Sequence, residues 1–123
     1  MSHDIISDAL NGIMNAKKAG KLKLEIKIVS KVLVKVLDLI KKEGLIDYKL
    51  KGKELEIEII SLNECRTIKP RFNVKTGEIE KYKRRFLPAR EVGTIIVSTS
   101  KGLMSHEDAL EQNLGGSLIA YYF

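Results

Sequence analysis

The chain is short of cysteine and proline and has no long apolar run, and each shortage excludes a class of protein. The single cysteine, Cys65, excludes an intrachain disulfide. With only His3 and His106 beside it, the chain has no zinc-binding set of the usual kind. No apolar stretch approaches the ~18 residues that a membrane-spanning helix needs, so no membrane partner is expected. The opening Met1-Ser2-His3-Asp4 lacks a basic region and is followed by spaced apolar residues, so it does not read as a signal peptide. A cytoplasmic protein with no cofactor is the expectation. Repeats, low-complexity tracts and long linkers are also missing, and the two prolines, Pro70 and Pro88, both fall within one basic stretch.

That stretch dominates what is present. The chain of 123 residues carries 22 Lys and Arg against 16 Asp and Glu, a net charge of +6. Residues 66–90 contain Arg66, Lys69, Arg71, Lys75, Lys81, Lys83, Arg84, Arg85 and Arg90 against Glu78 and Glu80. Nine against two is +7, and the remaining 13 basic and 14 acidic residues balance at −1. Positive charge concentrated in this way is the electrostatic footprint of a polyanion binder, whereas evenly scattered lysines mark only a solvated surface.

A hydrophobic fraction of 44% is enough to bury a core. After Asp4 as a candidate N-cap, Ile6, Leu10, Ile13 and Met14 stand at helical spacing, predicting a helix over 5–18 that Gly20 stops. Leu22, Leu24, Ile26 and Ile28 alternate with charged residues, as in a half-buried strand. Ser30 can cap a second helix whose apolar face is Leu33, Val36, Leu37 and Ile40, with Glu43-Gly44 at its end. Ile46, Tyr48 and Leu50, then Leu55, Ile57 and Ile59, alternate on either side of Gly52, predicting a hairpin. The basic stretch reads as looped or at a sheet edge, with strand-like pieces around Ile68 and Arg85–Phe86. The β-branched run Thr94–Ser98 predicts a buried strand, followed by a loop at Thr99–Gly102. A short helix capped by Ser105 comes next, ended by Asn113, Gly115 and Gly116, and Ser117–Phe123 forms a last strand. The fold class expected is α+β in two small lobes. Residues 1–63 would form helix–strand–helix–strand–strand, and residues 64–123 a basic, mostly antiparallel sheet with one short helix.

The sharpest local feature is Ser98-Thr99-Ser100-Lys101-Gly102, read as lying between a strand and a helix. Three hydroxyls, a lysine and a permissive glycine offer donors and acceptors to phosphates, ribose 2′-hydroxyls and base edges, the groups that RNA minor-groove recognition uses. An ordinary polar turn is equally compatible with the spacing. A nucleotide-binding phosphate loop is not, because GxxxxGK[ST] is absent and glycine follows the lysine.

The longer stretch Gly93-Thr94-Ile95-Ile96-Val97-Ser98-Thr99-Ser100-Lys101-Gly102-Leu103-Met104-Ser105-His106-Glu107-Asp108-Ala109 resembles the signature of the family of the eighth small-subunit ribosomal protein. Asp4, Asp8 and Asn15 sit where that family has its opening helix, Ser30-Lys31 and Glu43-Gly44-Leu45-Ile46 resemble its second helix and exit, and Leu114-Gly115-Gly116 resembles its last turn. Ile68-Lys69-Pro70-Arg71-Phe72 and Arg84-Arg85-Phe86-Leu87-Pro88-Ala89-Arg90 look like the archaeal and eukaryotic branch. The resemblance covers essentially the whole chain. It implies a structural protein that binds the central domain of small-subunit ribosomal RNA and supports assembly, with neighbouring ribosomal proteins as further partners. It also implies a monomer away from the ribosome and no small-molecule substrate. The implied RNA contacts are Ser98, Thr99, Ser100, Lys101 and Gly102 from the loop, with Asn15, Ser30 and Lys31 from the first lobe. Lys69, Arg71, Arg84, Arg85 and Arg90 are expected on phosphates. Bacterial members commonly carry Glu after the paired glycines and use it near RNA. Ser117 stands there in this chain, and that contact is not carried over.

Plainer readings stand beside these. Asn15 is compatible with an open helix side, Ser30 with a simple cap, and Tyr82 and Phe86 with either base stacking or core packing. His106 has no partner at a telling spacing and reads as a surface residue, Cys65 as a small buried one, and the row Glu54, Glu56, Glu58 as a solvated face. The alternative function is a small RNA-modifying or nucleotide-dependent enzyme. Against it, the chain shows no nucleophile–base pair, metal set or nucleotide loop.

Overall fold

The computed structural model describes residues 5–26, 31–68, 73–88 and 92–123. The chain separates into two compact units, Met1–Cys65 and Arg66–Phe123. Both mix helices with antiparallel strands, so the fold class is α+β.

In the first unit, α1 spans Ile5–Lys18 and buries Ile6, Ala9, Leu10, Ile13 and Met14. Offsets of three, four, seven and eight residues place these on one stripe of a 3.6-residue helix. The helix closes as a Schellman motif, with Gly20 at φ +77°, its N–H on the Lys17 carbonyl and the Lys21 N–H on the Ala16 carbonyl. The candidate cap Asp4 lies outside the described residues. Strand β1 covers Lys23–Ile26, and α2 covers Lys31–Lys42. The α2 residues Leu33, Val36, Leu37 and Ile40 are fully buried. Strands β2 (Ile46–Lys51) and β3 (Glu54–Ile59) form a hairpin in which Lys51 pairs with Glu54. Gly52 opens its two-residue turn at φ +62°, a conformation costly for residues with a Cβ. The sheet order is β1-β3-β2. Central β3 turns Leu55, Ile57 and Ile59 into the core and its three glutamates to the other face.

The second unit begins its sheet with β4 (Cys65–Thr67) and β5 (Asn73–Val74). A 3-10 turn at Thr76–Glu78 leads into α3, Ile79–Phe86. Then come β6 (Thr94–Thr99), β7 (Gly102–Ser105), α4 (His106–Glu111) and β8 (Gly116–Tyr122). The strand order is β4-β8-β6-β7, with β5 also on β8. One core joins Val74, Ile95, Val97, Met104 and Leu118 of the strands to Ile79 of α3 and Ala109 of α4. Opposite Ile96 and Val97, strand β8 offers Ala120 and Leu118, which leaves Ile119 as the extra residue of a bulge.

Three expectations for this unit are corrected. Arg85–Phe86 is helical, not strand-like, so the unit contains two α-helices instead of one. Ile79, Tyr82 and Phe86 recur at offsets of three and seven, a helical stripe thinned by five charged neighbours. Pro88 ends it, because a residue before proline is driven out of helical geometry, and Leu87 adopts φ −96°, ψ 145°. Second, the polar loop lies between two strands and not directly before a helix, since Gly102–Ser105 pairs with Ile96–Thr99. Third, His106 is buried, at 1% exposure. Its Nδ1 accepts the Ile95 N–H at 3.0 Å, supplying a partner for a backbone donor inside the core. The end of α4 is also set differently. Asn113 takes φ +56°, donates to the Leu110 carbonyl, and Leu114 donates to Ala109. Asn113 therefore supplies the left-handed cap, and the paired glycines serve another purpose, described below.

Candidate nucleic-acid interface

The hydroxyl-rich segment is the tip of the β6–β7 hairpin. Thr99 pairs with Gly102, so Ser100 and Lys101 are the two turn residues, and both are exposed. Gly102 sits at φ +112°, a region open to glycine and costly to other residues. Thr99 spends its hydroxyl locally. Its Oγ1 donates to the Gly102 carbonyl at 2.9 Å and accepts the Lys101 N–H at 3.2 Å. The turn is braced from inside by this one side chain, which leaves Ser100 and Lys101 to supply a hydroxyl and an ammonium at the tip. At the far end of β7, the Ser105 hydroxyl accepts the Asp108 N–H at 3.2 Å and caps α4. A strand within the core and a capped helix thus hold the hairpin from both sides.

Ser117, whose contact was not carried over from the family, and Asn73, which the sequence did not mark, join it. Ser117 on β8 is in register with Ser98 on one side and with Asn73 of β5 on the other. Residues directly opposite in an antiparallel sheet share a face, so Asn73, Ser117 and Ser98 form one polar row across three strands. Their chain neighbours Val74, Leu118 and Val97 point into the core, which puts the row on the opposite face. Gly116 makes the close approach possible. A Cβ there would overlap the Ser98 carbonyl, and one on Gly115 would come within 2.5 Å of the Val74 carbonyl. The sequence marks Ser98, the paired glycines and the Ser117 that follows them, but neither the close-approach role of the glycines nor Asn73 can be read without the strand register.

Among the described residues of the second unit, four of the seven Lys and Arg stand on α3. Arg84 and Arg85 stand in its last turn, where cations are favoured by the helix dipole. Arg85 lies 5.4 Å from the Phe86 ring centroid and Lys81 5.9 Å from that of Tyr82. Tyr82, Phe86, Tyr121 and Phe123 stack in succession, with centroids 6.3, 5.4 and 6.4 Å apart. Tyr82, Phe86 and Tyr121 are partly buried against the core, so packing accounts for much of their placement. Lys69, Arg71 and Arg90 lie outside the described residues, as does Ser30. Asn15 is exposed on α1 and Lys31 is exposed as the first residue of α2, both in the first unit.

The first unit treats its charges differently. On the solvent face of its sheet, Lys51 meets Glu56 at 2.6 Å, and Lys23 stands opposite Glu58. The hydrogen bond to Lys51 holds the Glu56 carboxyl below its usual range and raises the lysine in return. Lys41 reaches Asp47 at 3.2 Å and lowers its carboxyl, assisted by the Tyr48 N–H. Burial pushes the Tyr48 phenol up to about 12, and its hydrogen bond to the Asp38 carboxylate adds to the shift. Each lysine of this face, Lys23, Lys49 and Lys51, thus stands opposite a glutamate. Among the described residues, no group of three or more His, Cys, Asp and Glu is placed to hold a metal, and no helix is long and apolar enough to cross a membrane.

A hydroxyl-bearing hairpin tip and a polar row offer short-range hydrogen bonds, and a helix bearing cations offers attraction at longer range. The model of the family described as Ribosomal protein S8 matches residues 4–123, and the chain belongs to that family. It is 43% identical over 129 residues to the small ribosomal subunit protein uS8 of Nanoarchaeum equitans, with both chains fully covered. The uS8 protein of Archaeoglobus fulgidus is also 43% identical with full coverage of both chains. The uS8A protein of Saccharomyces cerevisiae is 40% identical, over 97% of this chain and 96% of the other.

Proposed function

We propose that the protein is a structural constituent of the small ribosomal subunit that binds the central domain of small-subunit ribosomal RNA and supports its assembly. It works in the cytoplasm, as a monomer before incorporation, with neighbouring small-subunit proteins as later partners. The observation that carries this reading is the braced hairpin at Ser98–Gly102 in a chain of a ribosomal protein family. Lys and Arg neutralise phosphates and supply most of the affinity. Uncharged hydroxyls act only at hydrogen-bond range, and therefore supply discrimination. Asn15, Ser30 and Lys31 add contacts from the first unit, and Lys69, Arg71, Arg84, Arg85 and Arg90 lie along phosphates.

Filter binding to a central-domain RNA fragment and to a scrambled RNA tests this reading. Thr99→Ala with Ser100→Ala lowers cognate affinity by about 1–3 kcal/mol and leaves scrambled binding and the salt slope nearly unchanged. Ser100→Ala alone separates RNA contact from turn geometry, because it leaves both Thr99 bonds within the turn in place. A folded double variant that binds cognate RNA like the parent protein refutes the assignment of the hairpin.

A further inference from the structure

The row beside the hairpin contains a side chain whose orientation is set by a neighbour. The Ser117 Oγ donates to Asn73 Oδ1 at 2.5 Å, across 44 residues of sequence. An amide whose oxygen is engaged in this way keeps two N–H donors on Nδ2. Asn73 is exposed, whereas Ser117 and Ser98 are half-buried, so the row rises toward solvent at the asparagine. The serine is held in turn by β8, which Gly116 lets approach β6 at the Ser98 carbonyl. The pair lies on the sheet face opposite the side chains of Val74, Val97 and Leu118, and its row ends at Ser98, where the hydroxyl segment begins. An exposed amide held by one hydrogen bond has lost part of the rotamer freedom that binding would otherwise remove. Its donors match the acceptors of an A-form minor groove, which are ribose 2′-hydroxyls and base edges.

We propose that Asn73 is a specificity-determining RNA contact, its amide aimed by Ser117 at a minor-groove acceptor next to the nucleotides that meet the hairpin. This rests on the RNA-binding reading above and extends its surface to β5 and β8. The competing role for the pair is a staple that only fastens β5 to β8.

The test measures affinity of the full chain for the central-domain RNA fragment in Asn73→Ala, Ser117→Ala, their double variant and Ser117→Thr, with melting curves for each. Contact predicts a loss of about tenfold for Asn73→Ala and a smaller one, about threefold, for Ser117→Ala. The double variant binds no worse than Asn73→Ala, because aiming has no value once the amide is gone. Ser117→Thr keeps the hydroxyl and restores binding, and the salt slope stays unchanged throughout. Asn73→Ala binding within twofold of the parent, while Ser100→Ala is weakened, overturns this inference and leaves the proposed function standing. Losses that merely follow a lowered melting point assign the pair as a staple and also overturn it. If the parent protein does not prefer the central-domain fragment over scrambled RNA, the functional reading fails and takes this inference with it.

Discussion

The two units handle polar groups in opposite ways. In the first, the outward sheet face mixes charges of both signs: Lys23, Lys49 and Lys51 stand opposite Glu58, Glu56 and Glu54, while Glu25 faces Glu56 and Asp47 faces Glu58. In the second, the row Asn73–Ser117–Ser98 at one end of the sheet bears uncharged hydroxyls and an amide, and cations gather on a separate helix. A surface whose charges are matched internally gives little net field, while a neutral reading edge accompanied by separate cations can divide discrimination from attraction. The backbones differ as well. The first unit is built from regular helices on a regular three-stranded sheet. The second needs a bulge and paired glycines to bring its strands together, and a left-handed asparagine to end α4.

The largest test of that contrast substitutes a glycine in each unit. Gly116→Ala pushes a methyl group into the Ser98 carbonyl and should cost about 3 kcal/mol in chemical denaturation. Gly12→Ala in α1 makes only an ordinary contact, 3.7 Å from Leu24, and should stabilise by about 0.5–1 kcal/mol through helix propensity. Equal effects at the two sites would erase the distinction in backbone crowding.

Next in size is His106→Leu. The leucine can fill the buried volume but cannot accept the Ile95 N–H, so a stability loss of about 2 kcal/mol is expected by urea titration. A neutral result would mean that the bond carries no net stability.

Charge reversal gives the third comparison. Arg84→Glu with Arg85→Glu should weaken cognate and scrambled RNA alike by about tenfold at moderate salt. It should also flatten the salt slope by roughly 0.7–0.9 for each phosphate that is no longer neutralised. Lys49→Glu with Lys51→Glu in the first unit should have a much smaller effect. Selective loss of cognate binding in the Arg84/Arg85 variant would move those residues from attraction to discrimination.

The smallest effect belongs to the exposed pair Lys51–Glu56. Removing both side chains should shift the melting point by no more than about 2 °C, because surface ion pairs contribute little. A larger drop would show that the charged face acts as a network.

Regular periodicity makes the first unit legible. The stripe of α1 repeats through Ile6, Leu10, Ile13 and Met14, and β3 alternates strictly between Glu and Leu or Ile. Helix α3 is hidden in the sequence because few of its eight residues are apolar and five charged ones interrupt the stripe. Strand β7 is hidden by its brevity and by Ser105, which closes the strand and caps the following helix. The hydroxyl tip is readable as a run of residue types. The row beside it is not, since Asn73 and Ser117 meet only through strand register. His106 escapes for a similar reason, its partner being a backbone N–H eleven residues earlier.

The brace inside the hairpin turn also bears on the thermodynamics of association. A tip already closed by the Thr99 hydroxyl has little backbone freedom left to surrender when RNA arrives. In the proposed function, association at this tip is docking of a preformed shape, without the heat-capacity signature of a segment that folds as it binds. The ordering cost of the turn is met when the protein folds, before any partner is present.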